Sequence, residues 1–132
     1  MKKIFILSAA VAALLSMSPI TVNAQDQTPR TEVNVPKTDK FQIISDTTEG
    51  GVRHIKAVPS KKVCSALMEF DIKKGRIYNL VISRGCPGNL QAIGRLLEGM
   101  EVKKAIKTLD GIDCAGRGTS CTDQLAQILK TL

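Results

Sequence analysis

Aromatic side chains are scarce in this chain. Its 132 residues include three phenylalanines, one tyrosine and no tryptophan. Proteins that bind nucleic acid commonly stack bases on aromatic rings beside a basic surface. The lysines are instead scattered in pairs, so the net charge of +7 does not indicate a nucleic-acid partner. A core with so few rings must consist mainly of Leu, Ile, Val and Met side chains.

Motifs of the common catalytic sites are also missing. The sequence has no Cys-x-x-Cys pair, no Walker motif and no Rossmann glycine pattern. No serine or pair of carboxylates lies in a catalytic context. His54 is the single histidine, and no cysteine or carboxylate lies near it in sequence, which favours a surface or packing role. We therefore predict no catalytic residue.

One apolar run is long enough to be a targeting signal. It spans residues 4–15, Lys2 and Lys3 precede it, and Val22-Asn23-Ala24 follows as a small-residue cleavage site. The run is too short to span a bilayer as a mature helix, and no other stretch is apolar enough. We interpret residues 1–24 as a signal peptide and expect an exported protein, periplasmic or extracellular, without a membrane span.

The rest of the chain predicts a tether and one small domain. Residues 25–40 are polar and contain two prolines without an apolar period, which is typical of a disordered tether. In residues 41–132, segments in which apolar and polar residues alternate predict strands, and segments in which apolar residues recur every three or four positions predict helices. Strands are expected at residues 41–45, 52–58, 64–72 and 76–83, and helices at 87–99, 101–109 and from 121 onward. This order indicates an α+β fold, with an antiparallel β-sheet or hairpins followed by three helices.

The third and fourth predicted strands form a hairpin, and their apolar faces predict its register. Lys73-Lys74-Gly75 supplies the turn. One register brings apolar side chains together, whereas a slip of one residue would place Phe70 opposite Asn79. The expected pairs are Ile72 with Tyr78, Phe70 with Leu80, Met68 with Ile82 and, at the open end, Cys64 with Cys86.

Four cysteines are the strongest indication of function. Two of them stand at expected helix starts: Cys86 precedes Pro87, which suits a first helical position, and Cys121 follows Ser120 in a Ser-x-x-Asp capping pattern. A helix N-terminus offers unpaired N–H groups that favour a thiolate, and the thiolate is the form that binds metal. The four candidates are Cys64, Cys86, Cys114 and Cys121.

The residues alone leave three states of these cysteines open. Four sulfurs suit tetrahedral zinc or an iron–sulfur cluster. Exported proteins instead oxidise their thiols, and the most economical pairing joins Cys64 to Cys86 and Cys114 to Cys121. Free or redox-active thiols are the third state.

A glycine-rich loop before the last helix has the composition of a weak anion- or nucleotide-binding site. Its backbone N–H groups and one arginine are groups that contact phosphate in other proteins. It lacks a Walker pattern, so an ordinary loop is the alternative. The residues concerned are Gly116, Arg117, Gly118, Thr119 and Ser120.

Several of these segments resemble the TSCPD domain family. Residues 119–126 resemble the signature that names the family, with Thr122 in place of its usual proline. Residues 84–93 contain the Gly-Cys-Pro-Gly-Asn segment of the family, and residues 63–65, 98–100 and 113–117 also fit. The resemblance covers roughly residues 53–132, which is most of the chain after the leader.

This resemblance implies a metal site, zinc before iron–sulfur, with Cys64, Cys86, Cys114 and Cys121 as its ligands. The family domain also occurs at the C-terminus of cobalamin-dependent ribonucleotide reductases. The resemblance therefore implies that this protein helps a ribonucleoside-diphosphate reductase in DNA synthesis, as a redox or nucleotide-binding domain. That role would place it in the cytoplasm. The chain has no room for the reductase barrel, so a complete enzyme is not implied. The alternative is an exported, disulfide-stabilised binding module without catalysis.

The cysteine layout is also similar, more faintly, to U-type iron–sulfur scaffold proteins. In those proteins a cysteine opens a hairpin, Gly-Cys leads into a helix and a last cysteine starts the C-terminal helix. Cys64, Cys86 and Cys121 follow the same order. Ala66 stands where the scaffolds carry an aspartate, so the similarity implies a closed four-sulfur site rather than transient cluster handling.

Overall fold

Four strands and three helices form the described part of the chain. The computed structural model of the protein describes residues 34–132, so the predicted signal peptide and residues 25–33 of the predicted tether lie outside the described residues. The elements are β1 (Gln42–Glu49), β2 (Val52–Val58), β3 (Leu67–Lys73), β4 (Arg76–Ser83), α1 (Pro87–Leu97), α2 (Val102–Leu109) and α3 (Cys121–Leu129).

The strands form one antiparallel sheet in the order β1-β2-β3-β4, and the three helices follow it in the chain. The predicted α+β fold is therefore confirmed. Within residues 34–132, none of the helices combines the length and the apolar character that a bilayer crossing requires.

Strand β1 is longer than its apolar alternation predicted. The turn that follows it consists of Gly50 and Gly51, whose φ angles of +55° and +78° suit glycine. Because this loop is so short, Glu49 pairs directly with Val52, and the polar residues before Glu49, which were predicted to be part of a wide turn, continue the ladder.

The β3–β4 hairpin contains two registers. In its open half, Met68 faces Ile82, and this prediction is confirmed. Near the turn the register is shifted by one residue, so that Ile72 faces Ile77. The predicted pairing of Ile72 with Tyr78 is therefore wrong.

A β-bulge in β4 reconciles the two registers. Lys74 and Gly75 form a two-residue turn with φ angles of +49° and +71°, which fixes the pairing beside it. Continued along the hairpin, that pairing would place Phe70 opposite Asn79. Asn79 instead adopts a φ of +53° and accommodates one extra residue of β4. Phe70 consequently lies at the shift instead of forming the expected ladder pair with Leu80.

Cys64 does not open strand β3, which begins at Leu67. The connection before β3 nevertheless runs beside the end of β4, because the N–H of Ala66 donates to the carbonyl of Ser83 at 2.7 Å. Cys64 and Cys86 both lie outside the strands, so the predicted strand pairing between them is wrong.

One face of the sheet packs against the helices. Ile55, Phe70 and Ile77 of the sheet and Leu125 and Ile128 of α3 are each at most 2% exposed. Fully burying a side chain of this kind contributes roughly 1.5–3 kcal/mol. Phe70 is the one aromatic residue of the buried cluster among residues 34–132, which agrees with the aliphatic core expected from the composition.

The first and last helices begin at their predicted residues. Pro87 starts α1 and Cys121 starts α3. At the latter, the Ser120 hydroxyl accepts a hydrogen bond from the N–H of Asp123 at 3.0 Å, which satisfies one of the unpaired donors of the first turn. Helix α1 ends at Leu97, slightly before its predicted end.

Residues 34–40, the last part of the predicted tether, lie outside helices and strands but contact the domain. The N–H of Lys61 donates to the carbonyl of Thr38 at 2.8 Å, and the Lys61 ammonium lies 3.0 Å from the Asp39 carboxylate. We call residues 34–40 the strap, because these bonds hold it against the connection between β2 and β3.

Candidate functional site

Cys64 lies on a connection whose backbone is held in place from both sides. Its neighbours Val63 and Ser65 are 5% and 0% exposed, whereas Cys64 itself is exposed. Buried flanking residues restrict the backbone, so the position of Cys64 is well defined while its thiol remains accessible.

The chain before Cys86 approaches Cys64 closely at Gly85. A β-carbon built on Gly85 would lie 3.8 Å from the β-carbon of Cys64 and 3.0 Å from Cδ1 of Leu90. The φ of Gly85 is +110°, which L-residues rarely adopt. Gly85 therefore brings the start of α1, with the exposed Cys86, next to the Cys64 connection.

Cys114 and Cys121 enclose a short loop that leads into α3. The N–H of Cys114 donates to the carbonyl of Thr119 at 3.1 Å, and the carbonyl of Cys114 accepts from the N–H of Arg117 at 3.3 Å. These bonds fold the loop back on itself. Cys121 follows directly as the first residue of α3 and is partly buried.

Arg117 connects this loop to Cys64. Its Nη1 lies 3.3 Å from Sγ of Cys64. This hydrogen bond raises the pKa of the Arg117 guanidinium, and the charges of Cys64, Cys114 and Cys121 raise it further. One guanidinium therefore lies within electrostatic range of three of the four predicted ligands.

Lys37 of the strap is a second cation beside the thiols. Its ammonium donates to the carbonyl of Val63 at 2.7 Å. Burial lowers the pKa of Lys37, and the thiols of Cys121 and Cys64 oppose that shift. The strap thus adds a positive charge to the same end of the domain.

Two buried hydroxyls accompany the cysteine connection. Within residues 34–132, neither Oγ of Ser60 nor Oγ of Ser65 has a hydrogen-bond partner, although these residues are 1% and 0% exposed. A buried hydroxyl without a partner costs about 1–3 kcal/mol. Ser65 directly follows Cys64, but its hydroxyl is buried whereas Cys64 is exposed.

All four cysteines are free thiols. In the described part of the chain, no three His, Cys, Asp or Glu side chains are arranged as metal ligands. Among the described residues, the four predicted ligands therefore form neither the two alternative disulfides nor a coordination sphere.

The polar groups of the predicted anion loop are largely used inside the protein. The N–H of Gly116 donates to the carboxylate of Asp113 at 2.6 Å, and the hydroxyl of Thr119 donates to the carboxylate of Asp123 at 2.6 Å. Ser120 caps α3, and Arg117 contacts Cys64. Anion binding by residues 116–120 stays a prediction.

His54 has a carboxylate partner that sequence proximity did not reveal. Nδ1 of His54 lies 2.6 Å from Oδ1 of Asp71 on the neighbouring strand, and Nδ2 of Asn79 donates to Oδ2 of Asp71 at 2.8 Å. The residues line a wide, solvent-open depression that also includes Tyr78. Strand register alone brings these groups together, which explains why the sequence distance concealed them.

Comparisons with known proteins agree with the sequence motifs. The family model described as TSCPD domain matches residues 40–132. Neither the curated proteins nor the solved structures contain a match, so the similarity to U-type scaffold proteins stays a prediction. The match extends over both hairpins, all three helices and all four cysteines. On this evidence the chain belongs to the TSCPD domain family.

Proposed function

We propose that this protein is a small metal-binding domain in which Cys64, Cys86, Cys114 and Cys121 hold one zinc ion. The observation that carries the proposal is the contact of Arg117, on the loop between Cys114 and Cys121, with the sulfur of Cys64, together with the close approach of Gly85, the residue before Cys86, to Cys64. Four thiolates suit tetrahedral zinc, and an iron–sulfur cluster is the second choice for the same donor set.

The surroundings of the thiols support a sulfur-bound cation. Three of the thiols are exposed and are therefore free to rotate, while hydrogen bonds and buried neighbours restrain the backbone around them. The guanidinium of Arg117 supplies a donor to the sulfur of Cys64. Outer partners that hydrogen-bond to metal ligands orient those ligands and tune the metal.

A zinc ion at this place would supply cross-linking rather than catalysis. The four cysteines lie on the β2–β3 connection, at the start of α1, in the α2–α3 loop and at the start of α3. Joining these segments stabilises a small domain, because metal-binding free energy becomes folding free energy. Together with the predicted leader, this favours an exported structural or regulatory module.

A helper role beside a ribonucleotide reductase is a second proposal, taken from the family resemblance. The exposed part of the loop, at Arg117 and Gly118, is the local feature that favours it. Its test is a thermal shift of the purified chain with nucleoside diphosphates. An unchanged melting temperature would contradict nucleotide binding.

The zinc proposal is tested by metal analysis of the chain purified without chelator. We expect one zinc per chain, and we expect each Cys→Ser substitution to abolish retention. His54→Ala is the matched control, because it removes the single imidazole from a different part of the sheet and should leave the zinc in place. A metal-free wild type, or zinc retention in the Cys→Ser variants at the level of His54→Ala, would overturn the proposal.

A further inference from the structure

We propose that the strap is part of the metal site: Lys37 and Arg117 compensate the charge of a zinc tetrathiolate and thereby slow the release of the metal. This inference rests on the proposed function. It assigns a role to a residue that lies before residues 40–132, the extent of the family match.

The charge of the site requires such compensation. Four thiolates around a divalent zinc ion leave two negative charges in excess. A charge that is partly removed from water is unfavourable unless a charge of opposite sign lies nearby. Arg117, in contact with Cys64, and Lys37, whose ammonium donates to the carbonyl of Val63 directly before Cys64, supply two positive charges.

The two cations belong to segments that lie far apart in the sequence. Arg117 belongs to the loop between Cys114 and Cys121, whereas Lys37 arrives on the strap from the N-terminal side. The Lys37 ammonium is anchored on the carbonyl of Val63, the residue before Cys64. Because the acceptor is a backbone carbonyl, this hydrogen bond holds the positive charge of Lys37 near Cys64.

The strap is itself held in position by further contacts. Lys61 of the β2–β3 connection binds the strap twice, through its backbone N–H to the carbonyl of Thr38 and through its ammonium to the carboxylate of Asp39. The amide of Gln42 also donates to the carbonyl of Pro36 at 3.0 Å. These contacts are unnecessary for a passive tether, but they are required if Lys37 is to stay beside the thiols.

The test measures how fast zinc passes from the loaded full-length chain to a chromogenic chelator. We expect Lys37→Gln and Arg117→Gln each to raise the release rate about tenfold or more, the usual effect of removing an outer partner of a metal ligand. Lys37→Arg, which keeps the charge, should restore most of the retention. Lys40→Gln is the control, since it removes the same charge from an exposed position of the strap.

Salt dependence separates charge compensation from a merely structural effect. Raising the ionic strength shortens the Debye length from ~10 Å at 0.1 M to ~3 Å at 1 M. The difference between wild type and Lys37→Gln should therefore shrink at high salt, whereas a packing defect would persist. Circular dichroism of each metal-free variant shows whether it is folded.

Two results would overturn the inference, and they are distinguishable. A wild type that holds no zinc removes the proposed function together with the inference. A loaded wild type whose Lys37→Gln and Arg117→Gln variants release zinc at the rate of Lys40→Gln removes the inference alone.

Discussion

The guanidinium of Arg117 and the sulfur of Cys64 lie 3.3 Å apart in space and 53 positions apart in sequence. This contact joins the loop before α3 to the connection before β3. It also places a permanent positive charge among thiols that no ladder of the sheet brings together.

Gly85→Ala should destabilise the domain by about 1–3 kcal/mol, the usual range for forcing an L-residue into a sparsely populated backbone region. The added methyl group would meet Leu90 at 3.0 Å in a backbone with φ of +110°. Urea unfolding monitored by circular dichroism measures the loss.

Gly88→Ala is the matched control for Gly85. It lies in the first turn of α1 and has open space for a β-carbon among the described residues. We expect an unchanged or slightly higher stability, because alanine favours helix over glycine by about 1 kcal/mol. Equal destabilisation by both substitutions would contradict the close approach at Gly85.

Asp123→Asn should destabilise the start of α3 by about 1.5–3 kcal/mol, the range for hydrogen bonds to a charged group. Burial alone would raise the pKa of Asp123, but hydrogen bonds from Thr119, Gly111 and Gln127 outweigh it, so the pKa lies below its ordinary value. Asp39→Asn, at an exposed carboxylate, is the control and should change stability by less than about 0.5 kcal/mol.

The sign of the pH dependence of this effect follows from the lowered pKa. The carboxylate of Asp123 stabilises the fold fully at pH values above its unfolded pKa of 3.8, and this contribution is lost as the pH falls through the lower folded pKa. The stability difference between wild type and Asp123→Asn should therefore be large at neutral pH and should narrow in strong acid. A difference that grows in acid would contradict the lowered pKa.

Asn79→Val should be markedly more destabilising than Asn79→Gly, by about 1–2 kcal/mol. Both substitutions remove the hydrogen bond to Asp71, but a β-branched residue cannot easily adopt the φ of +53° found at the bulge. Thermal unfolding of the two variants gives the comparison. Equal stability would mean that β4 runs without a bulge.

The α+β fold could be predicted because its signals are local. Apolar alternation marked the sheet, and Pro87 and the pattern from Ser120 to Asp123 located two helix starts to the residue. The bulge at Asn79 could not be predicted in this way, because it resolves a conflict between a two-residue turn and the apolar faces of the strands. Each of these features alone predicts a continuous register.

The contents of the site were only partly predictable. The motifs indicated the four cysteines, and the structure shows two of the links between their segments: the contact of Arg117 with Cys64 and the approach of Gly85 to Cys64. Residues 25–40, which include Lys37, were predicted to be a disordered tether from their polar composition. The contact of Lys37 with Val63 spans 26 positions, so no local pattern indicates it. The pairing of His54 with Asp71 was missed for the same reason, since it depends on the register between β2 and β3.

The most direct test of the four-cysteine zinc site is native mass spectrometry of the full chain, combined with alkylation of its thiols. We predict a folded chain that carries one zinc ion, with four thiols that resist alkylation until a chelator removes the metal. A metal-free chain with two disulfides, or with four thiols that react at once, would contradict the account.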